Sequence, residues 1–145
     1  MKKIVYFCII LLFSFSLTLG QTKGKAAVQK PSTVSLFAEA EKAWAPFWGS
    51  FRSAIVSRDT VRLRVLFARS YDRKSINQDV QYWLRKENRN AILSSKPHEI
   101  YEKDRPDVLE RIVSWQISDP CCDISFQFRK TVGWKIFSFS CGCTA

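Results

Sequence analysis

Cys121-Cys-Asp-Ile-Ser-Phe-Gln-Phe-Arg-Lys-Thr-Val-Gly-Trp-Lys-Ile-Phe-Ser-Phe-Ser-Cys141 is the stretch whose reading decides the fold. Ile124, Phe126 and Phe128 alternate with polar residues, and Phe137, Phe139 and Cys141 do so again, the period of strands with one buried face. Matching Phe126 with Phe137 puts Ile124 opposite Phe139 and Cys122 opposite Cys141. The same register leaves residues 130–133 as a four-residue hairpin loop. Upstream, Leu109, Val113, Trp115 and Ile117 predict a preceding strand that turns at Asp119 and Pro120. Residues 98–102 form a short candidate first strand after the turn at Pro97.

Helical spacing governs everything before that. From Phe37 the apolar residues Ala40, Trp44, Phe47, Trp48, Phe51, Ala54 and Ile55 recur every three or four positions and line one helix side. Pro46 lies inside this run, which predicts a kink or a restart with Pro46 in the first turn. Asp59 stands at an N-cap, followed by Val61, Leu63, Leu66 and Phe67, so a second short helix is expected to about Ser70. Ser75 and Gln78 make a capping-box pair that opens a third helix with Ile76, Val80, Trp83 and Leu84 on one side, fraying over residues 88–90. Helices first and an antiparallel meander last is an α+β order: three N-terminal helices packed on one face of a C-terminal sheet of three to four strands.

The opening residues carry an address. Lys2 and Lys3 precede an apolar run from Ile4 to Phe13 and a small-residue stretch ending at Gly20, the pattern of a removable secretory signal over 1–20. An apolar core of roughly ten residues falls short of the ~20 that span a bilayer. Residues 21–32, rich in Lys and Gln and without apolar periodicity, read as a flexible leader. The single domain then occupies 33–145, and the mature product is expected in the periplasm or secreted, not embedded in a membrane.

Export makes the cysteines legible. Cys121, Cys122, Cys141 and Cys143 form an even set, which in an oxidising compartment argues for two disulfides. Strand register favours Cys122–Cys141 with Cys121–Cys143 over the crossed pairing. A thiolate site for copper or zinc is the competing reading, disfavoured by compartment and by the awkward chelate geometry of adjacent cysteines. No cofactor or metal is therefore expected.

Loss of Lys2 and Lys3 lowers the formal charge from +10 to +8. Ten basic residues lie between Arg52 and Arg89 against Asp59, Asp72, Asp79 and Glu87. Arg58, Arg62, Arg69 and Arg73 form a candidate basic patch that would draw the protein to a polyanion or to the cell envelope. Nucleic acid is set aside because the chain is exported. Catalytic signatures are sparse: His98 is the lone histidine, no Gly-x-Ser-x-Gly accompanies it, and there is neither a phosphate-cradling glycine loop nor a calcium pattern.

Two segments carry a resemblance. Trp44-Ala-Pro-Phe-Trp48-x-x-Phe51-x-x-Ala54-Ile55, followed by Arg58-Asp59, resembles the opening of proteins with the nuclear-transport-factor-2-like fold. Phe126-x-Phe128-Arg129-Lys130-x-x-Gly133-Trp134-Lys135-Ile136 is similar to that fold's final hairpin, so the likeness covers roughly 33–141. It implies a curved sheet wrapped around helices, an apolar pocket, and dimerisation through the sheet. The third helix and the four-cysteine end depart from the pattern, and no catalytic Asp, His or Tyr carries over. Many exported members are accessory binding modules, and the expectation is accordingly a non-catalytic one. Its ligand cone would be Trp44, Phe51, Tyr82, Trp83 and Trp115, taking an apolar small molecule or an envelope protein. An acid-base enzyme using His98 with Tyr101 or Asp119 is the alternative.

Overall fold

A computed structural model of the chain describes residues 33–117 and 121–142. The expected signal peptide (1–20) and leader (21–32), the turn residues Asp119 and Pro120, and Cys143 lie outside the described residues. The order is α1 (Thr33–Ser57), α2 (Thr60–Val65), α3 (Arg73–Trp83), α4 (Lys86–Ser94), β1 (Tyr101–Glu102), β2 (Leu109–Gln116), β3 (Cys121–Arg129) and β4 (Gly133–Cys141). The strands form one antiparallel sheet in the order β1-β2-β3-β4. This is the α+β class that the residue periodicities predict.

Four helices precede the sheet rather than three, and each difference has a local cause. Pro46 does not divide α1: helix runs through it without a restart. Pro46 faces solvent, while Trp44 and Phe51 on either side both pack edge-on against Phe126, at 5.4 and 5.5 Å between ring centroids. Those contacts hold both halves of the helix on the same sheet, against the lost hydrogen bond to the Lys42 carbonyl. Next, α3 begins before Ser75, because Asp72 supplies the cap, accepting from the Lys74 N–H and the Ser75 hydroxyl. Its end is closed by Asn88, whose buried amide donates to the Tyr82 carbonyl at 2.8 Å. Residues 88–90, expected to fray, are instead helical inside α4, anchored by fully buried Ile92.

The α1–α2 corner is a Schellman turn built without glycine. Arg58 takes the left-handed conformation (φ 56°), and the Asp59 N–H reaches back to the Ala54 carbonyl at 2.9 Å. Asp59 then caps α2 by accepting from the Arg62 N–H at 2.9 Å.

Within the hairpin the predicted register holds at its open end and slips at its closed end. Cys122 faces Cys141 and Ile124 faces Phe139, but a bulge between Ser125 and Phe126 pairs Phe126 with Ile136 instead of Phe137. An extra residue in β4 reverses the facing of everything beyond it. Trp134 and Ile136 consequently fill the core, and Phe137 stands 37% exposed. The loop shortens as well: Arg129 pairs with Gly133, leaving three residues between them. Gly133 adopts φ 77° and the Val132 N–H bonds the Arg129 carbonyl. That is the three-residue loop closed by a left-handed glycine.

Helices and sheet meet through aromatic rings. Trp44 packs on Phe126 and Trp134, whose indole N–H donates to the Ala40 carbonyl at 2.9 Å, and Trp83 stacks on Phe67. Arg111 of β2 is drawn into this layer, its guanidinium 4.7 Å from the Trp44 ring and 2.9 Å from Glu41. Beyond α2, residues 66–68 run along the outer edge of β4. There the Ile136 N–H bonds the Leu66 carbonyl (2.9 Å) and the Ala68 N–H bonds the Ile136 carbonyl (2.8 Å). Among the described residues no helix is long and apolar enough to cross a membrane.

Candidate functional site

Four of the five aromatic residues assigned to a ligand cone are interior. Trp44, Phe51, Trp83 and Trp115 are each at most 6% exposed, with Phe139 set between Trp83 (edge-on) and Trp115 (stacked). The space expected to hold a ligand is occupied by these rings and by Phe126. The indole N–H groups of Trp83 and Trp115 meet no acceptor among the described residues. Tyr82 lines a surface concavity, a cleft of about 580 Å³ that Asp79, Arg85 and Phe139 also line. The Tyr82 hydroxyl lies 3.4 Å from the sulfur of Cys122 and 3.6 Å from that of Cys141, and Arg85 lies over its ring. Asp79 accepts from the Tyr71 hydroxyl, and burial together with that bond pushes the Tyr71 phenol far above its usual range.

The larger concavity is elsewhere. A cleft of about 770 Å³ opens between the 65–70 segment and the closed end of the β3–β4 hairpin. Three apolar side chains stand exposed in its lining: Val65 at 64%, Val132 at 58% and Phe137 at 37%. Beside them lie Arg69, Arg129 and Lys135, and among the described residues no acidic one lines the cleft. None of the three cations has an ion-pair partner among the described residues, although Lys135 donates to the Val65 carbonyl at 2.8 Å and so ties β4 to the end of α2. Such a surface suits a ligand with an apolar body and an anionic end.

Of the proposed basic patch, Arg58, Arg62, Arg69 and Arg73 are all exposed, but only Arg69 lines this cleft. The backbone of Arg58 takes the left-handed position of the α1–α2 turn, and Arg73 opens α3. Arg129 and Lys135 line the cleft with Arg69, whereas strand periodicity identifies them only as hairpin residues. Strict alternation puts Phe137 in the core, because it cannot register the bulge that turns this side chain outward.

A second polar cluster lies on the sheet face turned away from α1. Glu110, only 3% exposed, accepts from Lys103 Nζ at 2.8 Å, from the Tyr101 hydroxyl at 2.9 Å and from the Ser125 hydroxyl. Burial is the largest single influence on this carboxyl and opposes its ionisation. The three hydrogen bonds and the Lys103 charge together outweigh it and hold Glu110 below the usual carboxylate range. Burial and the bond to Glu110 push Tyr101 up to about 12. Every donor here is matched to one carboxylate, so the cluster is a brace between β1, β2 and β3. His98 is exposed, 3.3 Å from the Ser114 hydroxyl, and lines neither cleft.

Cys122 and Cys141 are joined, Cα to Cα 4.1 Å, directly across β3 and β4. Exposed Cys121 has no disulfide partner among the described residues, and its expected partner Cys143 lies outside them. The Gly142 N–H bonds the Cys121 carbonyl at 3.1 Å. Among the described residues no three His, Cys, Asp or Glu side chains gather as a metal site. Fold and site thus define a small disulfide-bonded α+β protein with an open basic and apolar cleft. No family model, no curated protein and no solved structure matches the chain.

Proposed function

We propose that this chain is an exported, non-catalytic binding module that takes an anionic amphiphile into the cleft between residues 65–70 and the β3–β4 hairpin. The observation that carries this reading is the lining, in which exposed Phe137, Val132 and Val65 sit beside Arg69, Arg129 and Lys135 with no acid among them. Covering the apolar side chains stabilises a complex by about 25 cal/mol per Å² removed from water. The cations set the polarity of the ligand, and Arg in particular suits a carboxylate or phosphate oxygen pair. Export is supported by the signal pattern of residues 1–20 and by the Cys122–Cys141 disulfide. The position of His98, outside both clefts, supports a binding role over acid-base chemistry.

The test is a fluorescence titration of the mature chain with 11-(dansylamino)undecanoic acid, an acyl chain ending in a carboxylate. Saturable enhancement of the dansyl emission is expected. Phe137→Asp should weaken it by about tenfold, equivalent to ~1.4 kcal/mol, and Arg129→Gln with Lys135→Gln should do the same. An emission that never rises, or that rises equally in these variants, sinks the reading.

A further inference from the structure

Helix α2 presents its apolar residues to the wrong side for a core. Leu63 is fully buried, whereas Val61 and Val65 are 68% and 64% exposed. At about 100° per residue, the Val61/Val65 stripe lies roughly 180° around the helix from Leu63, with Arg62 and Arg64 some 80° to either side of it. The helix therefore carries a valine ridge aimed away from the protein and flanked on both sides by guanidinium groups. Val65 also lines the large cleft, which makes the ridge continuous with Phe137, Arg69, Arg129, Lys135 and the exposed hairpin-tip Val132. Neither residues 60–71 nor residues 129–138 contain an Asp or Glu. Lys130, the remaining cation of the hairpin, is engaged by Glu39 at 2.8 Å, while Arg62, Arg64, Arg69, Arg129 and Lys135 have no ion pair among the described residues.

We infer that this face, α2 with the closed end of the hairpin, docks on an anionic lipid bilayer. Two signals coincide there, as stable attachment to a membrane surface requires: apolar side chains that enter the headgroup boundary, and cations that meet lipid phosphates. Four of the five cations are Arg, whose planar fork matches two phosphate oxygens at once. Val61, outside the cleft, and Val65 and Val132, in its lining, are short exposed side chains suited to shallow insertion among acyl chains. The inference goes beyond the cleft ligand, because it names the surface on which the molecule rests and opens the cleft directly onto the lipid.

Co-sedimentation of the mature chain with sucrose-loaded vesicles tests it, comparing phosphatidylcholine alone with phosphatidylcholine containing one-third phosphatidylglycerol. Binding is expected only with the anionic lipid and should fall steeply as salt rises to about 0.5 M. Arg62→Gln with Arg64→Gln should weaken it by about fivefold per charge removed, and Val61→Ser should weaken it at unchanged net charge. A control pair, Lys42→Gln with Lys86→Gln, removes as much charge from α1 and α4 and should leave binding nearly intact. Far-UV circular dichroism confirms that each variant is folded. No sedimentation with anionic vesicles, or an equal loss in the control pair, overturns the inference. Equal affinity for soluble poly-glutamate overturns it too and assigns an acidic polymer instead. Val61 lies outside the cleft lining, so Val61→Ser should leave the dansyl titration unchanged. Failure of the docking surface is thereby distinguished from failure of the cleft.

Discussion

Glu110 shows how much one residue can organise. Its carboxylate satisfies Tyr101 and Lys103, in and just after β1, and Ser125 of β3, from a position that water scarcely reaches. Glu110→Gln keeps the shape but removes the charge that these donors share. It is expected to cost about 1–3 kcal/mol in urea unfolding. The pH dependence follows from the two shifts. The unfolded chain takes up the Glu110 proton near the ordinary value of 4.5, whereas the folded state resists until lower pH. The contribution is therefore present above that value and lost as pH falls through the depressed folded one. Tyr101 acts at the opposite end: its stabilisation is complete below the ordinary 10 and is lost as pH rises through about 12. Urea midpoints measured from acid to alkaline pH should show both losses in the parent, with the Glu110 share of the acid loss absent in Glu110→Gln.

At the scale of the element, the β3–β4 hairpin decides what the protein offers its surroundings. One additional residue in β4 turns Phe137 outward and brings Trp134 and Ile136 inward, converting an expected core residue into part of the cleft lining. The register that produces this is pinned at the turn by Gly133. A Cβ on Gly133 would meet nothing within 4 Å, so the only obstacle to a side chain is the backbone at φ 77°. Gly133→Ala is accordingly expected to destabilise the fold by about 1–2 kcal/mol through left-handed strain alone. Urea denaturation measures the loss. A neutral Gly133→Ala would mean that the loop does not hold the register.

For the molecule as a whole, the helices cover one sheet face, and the open end of the last hairpin is held by Cys122–Cys141 over a separation of 19 residues. Cross-linking a loop of that size removes unfolded-state entropy equivalent to about 3 kcal/mol at 25 °C. The double variant Cys122→Ala with Cys141→Ala should lose roughly that amount in urea unfolding. A much smaller loss would mean that the packing of Trp115, Phe139 and Trp83 around this end already restrains it. Charge is also distributed at this scale. A chain of formal charge +10 gathers Arg62, Arg64, Arg69, Arg129 and Lys135, none with an ion pair among the described residues, beside exposed valines and Phe137.

The sequence by itself determined the α+β order, the helix stripe of α1, the pairing of Cys122 with Cys141 and the approximate number of strands. All of these follow from local periodicity, in which each residue's facing depends on its near neighbours. Only the tertiary structure decided that Trp44, Phe51, Trp83 and Trp115 fill the core instead of lining a pocket, because whether rings meet one another or leave a space depends on contacts between elements distant in the chain. The same holds for Arg69 facing Arg129 and Lys135, which lie some sixty residues apart. The bulge that exposes Phe137 breaks the one assumption on which strand alternation rests, because a bulge belongs to the pairing of β3 with β4 and not to the period of either strand alone.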